Sequence, residues 1–243
     1  NRVEGFFAGA EVFIAPPRWR GEGILGSGGY GTANREWRYE VGLMARRGSF
    51  SLAVNHYNRT ASLDDSLIST PTNTLTALMA KRDYKDYFQA AEGLELVASH
   101  RYRSFWLFSA RVAYSTLRNM PVATNWSVFR RSEPFRENPR LVEGKEGFIS
   151  LGLALDRTAP DPLSRSGTSL SGVYERRFRD FEGDGLQVEF HRFQTMPFGR
   201  QTLVLRGLVS SRTRLAPEDS LHLLYLGGLR TLRGYTFREF HGN

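Results

Sequence analysis

Cysteine is absent from the sequence of 243 residues. Its absence excludes disulfides, thiolate catalysis and cysteine-ligated zinc, although it leaves the cellular compartment open. Long apolar runs are also missing, and none approaches the roughly 18 residues that a membrane-spanning helix requires. The first residues, NRVEGFFAGAEVF, lack the charged start, apolar core and small-residue cleavage site of an intact signal peptide. If the chain contacts a bilayer, it does so through another kind of structure.

Acidic residues are outnumbered by basic ones. The sequence has 25 Asp and Glu against 33 Lys and Arg, which gives a formal net charge of +8. This excess suits nucleic acid, an anionic membrane surface or a domain whose acidic counterpart lies elsewhere in the protein. The apolar content of 40% is too high for a disordered chain. No linker, low-complexity tract or fixed repeat interrupts the sequence, so residues 1–243 are predicted to form one domain.

Alternation of apolar and polar residues is the clearest pattern in the sequence. In EWRYEVGLMAR the apolar side chains fall largely on one parity and the polar ones on the other, which is typical of a β-strand. SFWLFSARVAYS, GFISLGLALDR and GLQVEFHRF show the same split, and we count about ten such segments. Strands of soluble proteins usually have about 5–6 residues, whereas membrane-spanning strands need about 9–11. The pattern therefore predicts an all-β fold, an antiparallel transmembrane β-barrel.

The two parities predict which side chains face lipid. In a closed sheet within a bilayer, the outer face meets hydrocarbon and the inner face meets water or plug residues, with aromatic girdles at the strand ends. The lipid-facing residues are predicted to include Trp37, Tyr39, Trp106, Phe108, Leu151 and Leu153. The inward-facing residues are predicted to include Arg38, Glu40, Arg111 and Glu189. A large soluble sandwich or a lipocalin-like barrel also alternates, and it is the alternative fold.

The connections alternate in length. Short links such as ARRGS, SHRYR and MPFGR alternate with two long excursions, residues 61–86 and 117–146. Outer-membrane barrels have short turns on the periplasmic side and long loops outside, so the long loops are expected on one side. Within the first excursion, Leu75, Leu78 and Met79 have helical spacing behind a possible cap at Thr72 or Asn73. We predict a short helix there.

Enzymatic motifs are weak in this sequence. GSGGYG matches a dinucleotide-binding pattern through Gly26, Gly28 and Gly31, but no helical pattern follows it, so a glycine-rich strand is the better interpretation. GTSLSG has Ser171 where a nucleophile elbow requires glycine. The five histidines are scattered without metal-ligand spacing. Aromatic residues separate from basic ones, which argues against nucleic-acid binding. The sequence predicts no enzyme, cofactor or metal site.

The terminal stretch LYLGGLRTLRGY carries a family resemblance. It resembles the signature loop of the BamA/TamA-type outer-membrane protein assembly and translocation barrels, the bacterial surface antigen superfamily. In that loop a paired glycine precedes an Arg-Gly-aromatic tripeptide, and the corresponding residues here are Gly227, Gly228, Arg233, Gly234 and Tyr235. NRVEG and NTLTALMAKRDYKDYFQAAEG are also similar to stretches of bacterial members.

The resemblance implies both a fold and a function. Barrels of this family have about sixteen strands, so residues 1–243 are expected to be a partial outer-membrane barrel with about ten or eleven of them. The last third of the barrel and the upstream periplasmic domains are expected to be missing. The implied function is insertion of other proteins into the bacterial outer membrane, or their translocation across it, by a non-covalent mechanism. The implied partners are outer-membrane lipid and client proteins.

The resemblance also implies a role for the terminal loop. It is expected to fold back into the lumen, where Arg233 would meet acidic and aromatic groups of the inner wall. A planar guanidinium with five donors can bridge such partners in an enclosed space, and the neighbouring Gly234 permits a tight backbone.

Three other functions stay open. The barrel could anchor a patatin-like lipolytic enzyme carried upstream, or it could be a passive pore. The chain could also be a soluble binding protein.

Overall fold

The computed structural model describes residues 1–16, 21–62, 68–130, 132–159, 166–196, 201–213, 224–226 and 240–242. Ten strands form one antiparallel sheet in which the strands follow the order of the chain. A separate pair, β11 (Leu224–Leu226) and β12 (Phe240–Gly242), follows the sheet. The strands of the large sheet are β1 Phe7–Ile14, β2 Glu22–Gly31, β3 Glu36–Arg47, β4 Phe50–Ser62, β5 Tyr87–Tyr102, β6 Trp106–Asn119, β7 Gly144–Thr158, β8 Gly167–Arg179, β9 Gly183–Thr195 and β10 Thr202–Thr213. The all-β prediction and the count of about ten strands are confirmed.

The strands are long for a globular protein. In the ten-stranded sheet the longest strand, β5, has 16 residues, and the shortest, β1, has 8. Strands of globular proteins commonly have about 5–6 residues, so most strands of this sheet are at least twice that length. Among the described residues, no helix is both long enough and apolar enough to cross a bilayer.

The register of the sheet keeps apolar side chains in continuous rows. Leu43 lies opposite Val54, Val54 opposite Leu96, Leu96 opposite Val112, and Val112 opposite Ile149. All five side chains are exposed, with Leu43 59% accessible. We call the surface that carries this row the apolar face. Side chains one residue out of step with these lie on the opposite surface, which we call the charged face.

The predicted separation of residues between two faces is confirmed. Trp37, Tyr39, Phe108, Leu151 and Leu153 are exposed on the apolar face, where Trp106 is half-buried. Arg38, Glu40, Arg111 and Glu189 lie on the charged face, since each is one residue out of register with that row. The alternation seen in the sequence is therefore a property of the folded sheet.

The two long excursions leave the sheet at the same end, since both follow even-numbered strands. They run from residue 63 to 86 and from residue 120 to 143, because the strands take up the outer residues of the predicted ranges. We call the side of the sheet where the excursions leave the strands the long-excursion end. The other ends of the strands, where the links after β3 and β5 are short, form the short-turn end.

The predicted helix lies in the first excursion. Helix α1 spans Thr70–Ala80 and begins earlier than the expected cap at Thr72 or Asn73. Its cap is Ser69, whose hydroxyl accepts a hydrogen bond from the Thr72 amide. Pro71 in the first turn favours this earlier start, because its fixed φ suits a helix and its missing N–H needs no partner there.

A β-bulge interrupts β5 where its pairing shifts between Ala91 and Leu94. Glu92 adopts a positive φ of 52° there. Beside it, the ring of Tyr57 covers Gly93 so closely that an added Cβ would lie 2.1 Å from a ring carbon. The missing side chain of Gly93 is therefore what allows the ring to pack on β5.

We predict that Gly93→Ala destabilises the sheet by about 1–3 kcal/mol, because the new methyl group overlaps the Tyr57 ring. Urea unfolding of the full-length protein measures this free energy. Gly172→Ala is the matched control, since an added Cβ there has no neighbour within 4 Å. Equal unfolding midpoints for the two variants would contradict the packing role of Gly93.

Candidate functional site

A line of alternating charges crosses the middle of the charged face. Arg59 on β4 contacts Glu40 on β3 at 3.2 Å and Glu95 on β5 at 3.3 Å. Arg111 on β6 contacts the same oxygen of Glu95 at 2.7 Å. Glu95 is buried, so its carboxylate depends on the two guanidinium groups for its electrostatic stability.

The line continues through an aromatic ring. The guanidinium carbon of Arg111 lies 5.2 Å from the centre of the Phe148 ring on β7, and that of Arg177 on β8 lies 5.6 Å from it. Arg177 is ion-paired with Glu146 at 3.1 Å and with Glu175 at 2.8 Å. The charges from β3 to β8 are thus fixed by neighbouring side chains. Such a surface suits contact with water, because charged side chains are costly to bury in an apolar environment.

At the long-excursion end, the N-terminal segment docks on both excursions through Arg2. The Arg2 side chain is fully buried, and its guanidinium forms ion pairs with Asp83 at 3.3 Å and Asp86 at 3.2 Å. It also donates to the carbonyl of Lys85 at 2.7 Å and to the amide oxygen of Asn138 at 3.1 Å. We call these five residues the Arg2 junction. One guanidinium thereby joins the N-terminal segment, the first excursion and the second excursion.

The electrostatics of the junction follow from its burial. Removal from water lowers the pKa of Arg2 from its ordinary value, because burial disfavours the charged form. The carboxylates of Asp83 and Asp86 act in the opposite direction and stabilise the cation. An arginine suits this position because its planar fork reaches several acceptors at once.

A second layer of hydrogen bonds holds the junction in place. Asn73 of α1 donates to Asp83 at 2.8 Å and to the hydroxyl of Tyr87 at 2.9 Å, and that hydroxyl donates to Asp83 at 3.0 Å. Asn138 donates to the carbonyl of Tyr87 and to that of Met120. The helix, the start of β5 and the second excursion therefore form one unit with the N-terminal segment, which we call the plug.

A cavity of about 1050 Å³ lies between the plug and the charged face of β1 to β4. Small-molecule sites usually measure about 300–1,000 Å³, so this cavity is slightly larger than that range. Its sheet wall includes Glu11, Arg38 and Arg59. Its plug wall includes Phe6 and Trp126, whose ring centres are 5.7 Å apart. Charged and aromatic side chains thus both line the cavity.

The predicted loop residues lie outside the described residues. These are Gly227, Gly228, Arg233, Gly234 and Tyr235. The two short strands on either side of this stretch pair with each other, and Tyr225 lies opposite His241.

Sequence reasoning did not predict the Arg2 junction, although it had singled out both of the stretches that form it. NRVEG contains the arginine, and AKRDYKDYF contains the two aspartates. The available signal was the opposite charge of the two stretches, an arginine in the first and two aspartates in the second. Their pairing spans more than 80 residues, and no local pattern announces a contact of that range.

The weak enzymatic motifs lie in ordinary strands. Gly26, Gly28 and Gly31 belong to β2, and Ser171 belongs to β8, both within the antiparallel sheet. The interpretation of GSGGYG as a glycine-rich strand is confirmed. Within the described ranges, no cluster of three or more His, Asp or Glu residues is arranged to hold a metal ion.

Comparison with known proteins adds no relative. No protein-family model matches the sequence, and no curated protein matches it significantly. The features that bear on function are therefore the two faces of the sheet, the plug and the terminal motif.

We predict that Arg2→Ala opens the plug. Loss of the guanidinium leaves Asp83 and Asp86 buried with fewer partners, which costs about 3–5 kcal/mol of local stability. Hydrogen exchange of residues 82–87 measures this opening and should become faster. Arg35→Ala is the control because Arg35 is exposed in a turn at the same end of the sheet. Unchanged exchange in the Arg2 variant would contradict the role of the junction.

Proposed function

We propose that this chain forms part of a transmembrane β-barrel of the bacterial outer membrane, which inserts or translocates other proteins without covalent chemistry. The observation that carries the membrane location is the apolar face. It runs across the sheet as an exposed surface, while the opposite face carries ion pairs. The terminal motif, with Arg233, supports the assignment to assembly and translocation barrels.

Exposure of the apolar face to water would be costly. Large side chains are more than one-third exposed on nearly every strand, among them Val12, Leu43, Leu96, Leu151 and Val209. Contiguous apolar patches on soluble monomers rarely exceed a few hundred Å². Hydrocarbon removes this cost because it solvates apolar side chains. The ion pairs of the charged face then line a polar lumen.

The dimensions of the apolar face suit a bilayer. On β6, Trp106 and Tyr114 bound the apolar row, and Phe108, Ala110 and Val112 lie between them. Tyr114 follows Trp106 by eight residues, which is about 26 Å along the strand and about 20 Å of height at the usual tilt of about 35–45°. Outer-membrane barrels have an apolar band about 25 Å tall between two aromatic girdles. The spacing of the aromatic side chains thus supports a spanning orientation.

The edges of the sheet support a larger barrel. Within the described residues, β1 pairs only with β2 and β10 only with β9. Hydrocarbon does not tolerate unpaired strand edges, since each free N–H and C=O would lack a partner. Our proposal therefore places further strands between these edges, in keeping with the about sixteen strands of the barrels that the sequence resembles.

The plug supports a function beyond that of a passive pore. An open pore needs a clear lumen, whereas here the N-terminal segment and both excursions are held together at one end by the Arg2 junction. The cavity beneath the plug is bounded by charged and aromatic walls that suit polypeptide rather than free diffusion of small solutes.

The lipid-facing assignment predicts a difference between neighbouring residues of β7. Leu151→Arg should cost about 2–4 kcal/mol near the middle of the bilayer, because a charge would enter hydrocarbon. Ser150→Arg is the matched control, since Ser150 lies on the charged face. Unfolding of the full-length protein in lipid vesicles measures both costs. A similar loss of stability at the two positions would contradict the lipid-facing assignment.

The translocation assignment predicts a specific role for Arg233. Truncation to alanine should leave a buried acceptor unpaired and cost about 1–3 kcal/mol of loop docking. Arg233→Lys should resemble Arg233→Ala, because lysine lacks the bidentate fork. Two measurements show the effect, the cleavage of the loop by protease added outside the cell and the assembly of client proteins. Arg230→Ala is the control. Wild-type behaviour of all three variants would overturn the role of the motif.

A further inference from the structure

The positive charge of the described residues is concentrated at one end of the sheet. The described strand termini and turns at the short-turn end contain six arginines and two carboxylates, Glu22 and Asp156. The arginines are Arg46, Arg47, Arg101, Arg103, Arg157 and Arg192, and all are exposed. At the long-excursion end the charges are nearly balanced, and the described part of residues 120–143 has three arginines and three glutamates.

The arginines at the two ends also differ in their partners. At the long-excursion end, Arg118 pairs with Glu92 at 3.4 Å, and Arg176 pairs with Asp184 at 3.2 Å. Among the described residues, none of the six arginines at the short-turn end forms an ion pair. Their positive charges are therefore not compensated by a carboxylate within the described part of the chain.

Three of these arginines lie directly beyond the apolar face. Arg47 follows Ala45 by two residues on β3, Arg157 follows Leu155 on β7, and Arg192 follows Phe190 on β9. A step of two residues keeps a side chain on the same face of a strand. Arg47, Arg157 and Arg192 thus form the outermost row of that face, at the level where hydrocarbon gives way to headgroups.

Two arginines of the row are linked through β8. Arg157 lies opposite Thr168, and Thr168 lies opposite Arg192. Arg192 donates to the Thr168 hydroxyl at 2.9 Å and to the side-chain oxygen of Gln194 at 3.0 Å, and these bonds orient its guanidinium along the end of the sheet.

Aromatic rings hold some of the guanidinium groups at this level. Arg157 lies over the Phe105 ring at 4.3 Å, and Arg103 lies over the Tyr102 ring at 5.4 Å. Cation–π contacts of this kind leave the N–H edge of the guanidinium exposed for a second partner. A planar guanidinium binds phosphate oxygens through two parallel hydrogen bonds.

We propose that the short-turn end is a binding belt for the phosphate headgroups of anionic phospholipids, with Arg47, Arg157 and Arg192 as its lipid-level row. This inference rests on the proposed membrane-spanning function, since it places the belt at the edge of a bilayer. Cations near an anionic lipid surface each strengthen binding by about fivefold. The six arginines and two carboxylates at this end contribute +4 to the net charge of +8, and the belt assigns this charge to a membrane contact rather than a nucleic-acid site.

Quenching of single tryptophans by brominated lipids tests this belt in the full-length protein. Trp106 lies at the short-turn end, opposite Leu155 and near Arg157. Trp37 lies at the other end of the apolar face and reports on the headgroup level there. Each is kept as the sole tryptophan, with the others replaced by phenylalanine. The vesicles contain brominated phosphatidylcholine alone or brominated phosphatidylglycerol mixed with unlabelled phosphatidylcholine.

The belt predicts that phosphatidylglycerol is enriched at Trp106 and not at Trp37. The double variant Arg157→Gln/Arg192→Gln should reduce the enrichment at Trp106 by at least about fivefold. The control Arg118→Gln/Arg176→Gln removes the same charge from ion-paired arginines at the other end and should leave it unchanged. Added salt should weaken the enrichment, because exposed charges are screened.

Two results would contradict different parts of the account. No preference for phosphatidylglycerol at Trp106, or a preference that survives Arg157→Gln/Arg192→Gln, overturns the belt and would fit an acidic protein partner instead. Absence of quenching by brominated phosphatidylcholine at both tryptophans overturns the proposed membrane location itself. Quenching of the double variant by brominated phosphatidylcholine confirms that this variant still folds into the bilayer.

Discussion

The antiparallel ladder of backbone hydrogen bonds keeps side chains of one kind on one face across ten strands. Since side chains alternate with a period of two, a slip of one residue at any pair would move charged groups onto the apolar face. The one bulge in β5 maintains this order. It lets Ala90 lie opposite both Arg59 and Leu117, so the charged face continues past the irregularity. The ion pairs of the charged face and the exposed row of the apolar face both depend on this separation.

Charge is distributed in three ways over this framework. On the charged face, Glu95 and its two arginines form a fixed ion-pair line, because buried carboxylates need compensation. At the long-excursion end, the buried Arg2 joins three separate segments through its acceptors. At the short-turn end, arginines such as Arg157 point their charge outward and contact aromatic rings instead of carboxylates. Arginine thus stabilises the charged face, holds the plug together and lies along the short-turn end.

Much of the sheet could be predicted from the sequence, because a period of two is a local signal. EWRYEVGLMAR and GFISLGLALDR lie within β3 and β7, and the predicted faces of Trp37 and Arg38 are those observed. The helix was also predictable, but its predicted cap was wrong by three or four residues because Ser69 is the cap. The Arg2 junction could not be predicted, since its geometry depends on contacts between distant segments. The terminal motif with Arg233 stays a prediction, as it lies outside the described residues.

The most direct test of the two-faced sheet uses the natural absence of cysteine, which allows single cysteines to be introduced without background. Spin labels at successive positions 149–155 of β7 can be compared for collision with oxygen, which concentrates in hydrocarbon, and with a water-soluble nickel chelate. In lipid vesicles, positions 149, 151, 153 and 155 should favour oxygen, and positions 150, 152 and 154 should favour nickel. Uniform accessibility to nickel along the strand would contradict the account, because the apolar face would then meet water.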